Sequence, residues 1–79
     1  MPMISDKPMC AREVLDAYFL ETRAKLIEIA ANLDRVDRAP QASEVQGDSR
    51  LRFVREALEI LQSDRPNRTE LIQKLYSKE

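Results

Sequence analysis

At 79 residues the chain is long enough for one compact domain, too short for two, and small enough that a single apolar core leaves it only marginally stable. Thirteen Lys and Arg against fourteen Asp and Glu leave the charge near zero, so no overall field draws nucleic acid or an anionic membrane surface. A single cysteine, Cys10, and the lack of histidine exclude an internal disulfide and the commonest metal ligand.

The stretch from Met1 to Cys10 is broken by Pro2, Asp6, Lys7 and Pro8 and does not read as a secretory leader, so the expected compartment is the cytoplasm. No run approaches the roughly 18 apolar residues a membrane-spanning helix needs, because charges recur every few positions from Arg12 onwards. The expected fold class is all-α: a three-helix, bundle-like domain covering residues 1–79, with one long N-terminal helix packed by two shorter ones.

The first helix is expected over about residues 8–38. This segment has no Pro or Gly after Pro8 and is rich in Ala, Leu, Glu and Arg. Ser5 or Asp6 are candidate caps, and Pro40 forbids continuation much past Arg38. Leu15, Tyr18, Thr22, Leu26, Ile29, Leu33 and Val36 recur at threes and fours and form one stripe, expected to face the core. Stepping about 100° per residue, Leu20, Ala24, Ile27 and Ala31 fall nearly opposite, with Glu21, Lys25, Glu28 and Arg35 on one flank. A helix that only covers a monomer's core needs one apolar face, so this second stripe marks a candidate interface. A rod of this length, roughly 45 Å, also overhangs the roughly 30 Å expected of a compact sphere of this size.

Residues 39–47, with Pro40, Gln41, Ser43, Gln46 and Gly47, read as a connector that can hold one helical turn of its own. The second helix is expected over about residues 48–62, its stripe made by Leu51, Val54, Leu58 and Leu61 and widened by Phe53, Ala57 and Ile60. Arg52 with Glu56, and Arg55 with Glu59, have the spacing of helical ion pairs. Ser63 to Pro66 break this helix, and Asn67 with Glu70 looks like the cap of a third over about residues 67–77. The third helix has Leu71, Ile72, Leu75 and Tyr76 on one face and is too short to hold its shape undocked.

Without histidine the chain lacks the usual general base and half of every Ser-His or Cys-His pair, and its carboxylates match no calcium-loop spacing. With Gly47 as the only glycine there is no phosphate-cradling loop. The expectation is therefore no enzyme, no cofactor and no metal, and a helical module that self-associates as a homodimer, or binds another protein, through Leu20, Ala24, Ile27 and Ala31. The alternative class is a small nucleic-acid-binding regulator. The segment Asn67-Arg68-Thr69-Glu70-Leu71-Ile72-Gln73-Lys74-Leu75 resembles the scaffold helix of winged-helix repressors, and Arg50, Arg52 and Arg68 are its candidate anion contacts. The recognition helix and wing that such proteins add do not follow it within this sequence, which argues against nucleic acid as the partner.

Overall fold

The computed structural model describes residues 8–77, and everything in them is helix, turn or extended link. The order is α1 over Ala11–Arg38, a single 3-10 turn over Ala42–Val45, α2 over Ser49–Gln62 and α3 over Arg68–Ser77. The class is all-α, a long first helix followed by two shorter ones. The chain divides into two compact units, Met1–Arg38 and Ala39–Glu79, and each is described by itself.

In the first unit, α1 begins at Ala11 rather than near residue 8 because a capping arrangement closes there. The Val14 amide donates to the Cys10 carbonyl at 3.0 Å, and the Cys10 amide donates to Glu13 Oε1 at 2.9 Å. Glu13 so satisfies an amide that has no partner in the helix, in the manner of the reciprocal half of a capping box. The proposed caps Ser5 and Asp6 lie outside the described residues. Arg35 and Arg38 occupy the last turn of α1, where positive charge complements the helix dipole.

In the second unit, the 3-10 turn is entered through Gln41, whose φ of 67° is left-handed, a region costly for any residue with a Cβ. Gln46 closes the turn, donating Nε2 to the Ala42 carbonyl at 3.1 Å. Asp48 then caps α2, its Oδ1 accepting the Arg50 amide at 2.8 Å. The far end of α2 stops at Ser63, whose amide and hydroxyl both donate to the Ile60 carbonyl, at 3.0 and 2.6 Å. The break is held by Arg68, whose Nη1 donates to the carbonyls of Ser63 at 3.0 Å and Arg65 at 3.2 Å. α3 opens with the Leu71 amide donating to the Asn67 carbonyl at 3.0 Å, while Asn67 Nδ2 reaches Glu70 at 3.5 Å.

α2 and α3 fold back on each other as a helical hairpin. Phe53, near the start of α2, meets Tyr76, near the end of α3, with ring centroids 5.4 Å apart and an interplanar angle of 70°. Leu51, Val54, Ala57, Leu58 and Ile60 of α2 and Leu71, Ile72 and Leu75 of α3 are half-buried. Burial goes no further: among the described residues no side chain is fully buried.

Candidate functional site

The first stripe of α1 is largely exposed. Leu15 remains 62% exposed, and Tyr18 and Leu26 are also more exposed than covered, while Ile29, Leu33 and Val36 are half-buried. Within its own unit α1 is the one described helix, and a single helix has no interior for the stripe to face. Thr22 costs this stripe little, since its hydroxyl donates to the Tyr18 carbonyl at 2.8 Å and so brings no unmet donor.

The second stripe is open as well. Leu20 is 74% exposed and Ile27 51%, with Ala24 exposed and Ala31 half-buried. Its four residues lie on successive turns of unbroken helix, so the stripe is a straight apolar ribbon. The charged flank is tied within the helix. Lys25 Nζ lies 2.7 Å from Glu21, which holds the Glu21 carboxyl below its ordinary range and the Lys25 ammonium above its own. Arg35 donates to the Asn32 side chain at 2.6 Å, and Arg38 stands 4.0 Å from Asp34. Glu13 is also held below the usual carboxylate range, chiefly by the Cys10 amide it accepts.

The candidate anion contacts are spread over the second unit, Arg50 paired with a carboxylate and Arg52 and Arg68 donating to backbone carbonyls. Arg50 grips Asp48 at both oxygens, Nε to Oδ1 at 3.0 Å and Nη2 to Oδ2 at 2.9 Å. Arg52 Nη2 points to the Gly47 carbonyl at 3.5 Å, and Arg68 is engaged at the α2–α3 break. Asp48 is pulled down to about 2 by these contacts, first of all by the Arg50 side chain.

The expected pairs of Arg52 with Glu56 and Arg55 with Glu59 do not form among the described residues. Arg55 instead donates Nη2 to Gln46 Oε1 at 2.6 Å and Nη1 to the Gln46 carbonyl at 3.3 Å. Side chains on a helix lean toward its N-terminus, so Arg52 and Arg55 reach back to connector carbonyls that lack helical partners. Exposed ion pairs are worth too little to oppose this.

The sequence also hides a hollow. Ser49, Arg50, Phe53, Val54 and Tyr76 line an open depression of about 380 Å³ between the start of α2 and the end of α3. The pairing that builds it was open to inference, because Phe53 and Tyr76 stand about equally far from the Ser63–Asn67 break and antiparallel helices bring such positions together. Among the described residues its one charged lining group is Arg50, which is already committed to Asp48.

No group of three or more acidic, cysteine or histidine side chains is gathered to hold a metal ion among the described residues. No helix there is long and apolar enough to cross a membrane. Comparison with models of known protein families, with characterised proteins and with solved structures finds no match to this chain.

Proposed function

We propose that the chain is a non-catalytic helical interaction module, acting in the cytoplasm as a homodimer or on another protein's helix through Leu20, Ala24, Ile27 and Ala31 of α1. One observation carries this reading. Leu20 and Ile27 on this ribbon are large apolar side chains left exposed, as are Val14, Leu15, Tyr18, Phe19 and Leu26 on the other faces of α1, while no described side chain is buried. Scattered exposed apolar residues are ordinary, but a helix that leaves large apolar side chains open on more than one face is one that association would cover. Covering it also supplies what a chain of this size lacks, since association stabilises a fold that binds its partner only when folded.

The test is molar mass by light scattering across a concentration series, for the native sequence and for Ile27→Glu. The module reading expects a dimer that the substitution dissociates, because it places a carboxylate in the middle of the apolar ribbon. If mass, partner binding and thermal stability are all unmoved by Ile27→Glu, the ribbon is ordinary surface and the reading fails.

A further inference from the structure

We infer that Arg55 is a two-position latch on the connector, holding it when bound to Gln46 and freeing it when bound to Glu59. Gln46 is the piece it grips. The Gln46 carboxamide is used at both ends, Nε2 donating to the Ala42 carbonyl at 3.1 Å and Oε1 accepting Arg55 Nη2 at 2.6 Å. Its backbone carbonyl accepts Arg55 Nη1 at 3.3 Å, so one guanidinium fork on α2 closes the 3-10 turn from outside. Arg52 adds a longer contact one residue on, Nη2 to the Gly47 carbonyl at 3.5 Å. The turn has need of such contacts, because it is entered through Gln41 at a φ of 67°, and strained backbone persists only where its surroundings hold it.

The second position lies on α2 itself. Glu59 follows Arg55 by four residues, the separation at which helical side chains form ion pairs. Arginine ahead of its acid is the weaker order of such a pair, so in the structure the fork rests on Gln46 and the acid is a rival of similar small worth. Asp48 is not a third choice, since Arg50 takes both of its oxygens. One guanidinium with two partners of near-equal strength is a bistable element. Its position sets the stiffness of the chain segment that joins the two units. Salt biases it in an unusual direction. Screening weakens the exposed ion pair with Glu59 far more than the short contact with the neutral Gln46 amide, so rising ionic strength shuts the latch.

Amide exchange with water, followed by NMR and expressed as protection over an unstructured peptide, reads the latch at two positions. The Glu44 amide donates to the Gln41 carbonyl and the Asp48 amide to the Val45 carbonyl, both at 3.0 Å. Arg55→Gln and Arg55→Lys, which lose the fork, should each lower this protection by about threefold, the scale of one net hydrogen bond. Glu59→Gln, which removes the rival acceptor, should raise it by about twofold, the scale of one exposed helical ion pair. In the Arg55→Gln background Glu59→Gln should change nothing. Raising salt from about 0.02 M to about 0.5 M should protect the native connector and leave Glu59→Gln flat. Protection untouched by Arg55→Gln would mean that the fork holds nothing. A Glu59→Gln chain that matches the native one in protection and in salt response would overturn the two-position latch and leave a static clamp.

Discussion

The Tyr76 ring stands edge-on to Phe53 at 5.4 Å, tying the last turn of α3 to the first turns of α2 while remaining 68% exposed. That one aromatic contact does more for α3 than its area suggests. A helix of ten residues is not stable alone in water, so its far end is held by whatever it touches.

Tyr76→Ala is therefore expected to cost the hairpin about 1 kcal/mol, the usual worth of an edge-to-face pair beyond its burial. The loss should be uneven, with faster amide exchange at Leu75, Tyr76 and Ser77 than in α2. Tyr76→Phe keeps the ring and should leave the exchange pattern as it is. If alanine leaves the α3 amides as protected as before, the pair is incidental.

Acid should act on the start of α2. Asp48 sits near 2 in the folded chain, against an ordinary value of about 3.9 when unfolded. Because the folded value is the lower one, its stabilising contribution is complete above the unfolded value and is lost as pH falls from about 4 toward 2. Helical signal at α2 should fade over that window, and Asp48→Asn, which still caps but does not titrate, should flatten the dependence. A native acid transition unchanged in Asp48→Asn would place the sensitivity elsewhere.

Arg68 spends its guanidinium on the Ser63 and Arg65 carbonyls, at 3.0 and 3.2 Å. Arg68→Ala should loosen the α2–α3 break by under about 1 kcal/mol, the scale of an exposed hydrogen bond. Fluorescence anisotropy with a labelled duplex at physiological salt should give the same weak response for both forms. Binding that falls steeply with salt and is lost in the alanine variant would revive a nucleic-acid role for Arg50, Arg52 and Arg68.

Much of the architecture was legible because the breaks are written in strong chemistry. Pro40 and Gly47 bracket the connector, Pro66 forbids a continuous α2–α3 helix, Asp48 caps α2, and the Asn67 carbonyl accepts the first amide of α3. The apolar periods of α2 and α3 then leave one way to fold back. The start of α1 was harder, since Cys10 is a poor cap by type and the signal lay in Glu13, three residues on. The arginine contacts were misread for a related reason. Spacing says which residues share a helix face, but not that a long side chain has a better acceptor one turn back, as Arg55 has in Gln46.

The candidate ribbon was readable as a pattern, four apolar residues nearly opposite a longer apolar stripe. What the sequence could not convey is that both stripes of α1 carry exposed residues, because exposure depends on what else the chain brings near. Leu20 and Leu15 look alike as letters, one assigned to an interface and one to a core, and they end with similar exposure.

That no described side chain is buried has a calorimetric consequence. The heat-capacity change of unfolding comes mainly from apolar surface that goes from dry to wet. Where half-covered side chains become fully covered ones only by losing water to a neighbour, the isolated chain has little dry surface to expose. Its melting curve should be broad and nearly flat below the midpoint, and its denaturant slope shallow. Whatever covers α1 then announces itself thermally, as a sharper transition with a larger heat-capacity step that moves with protein concentration.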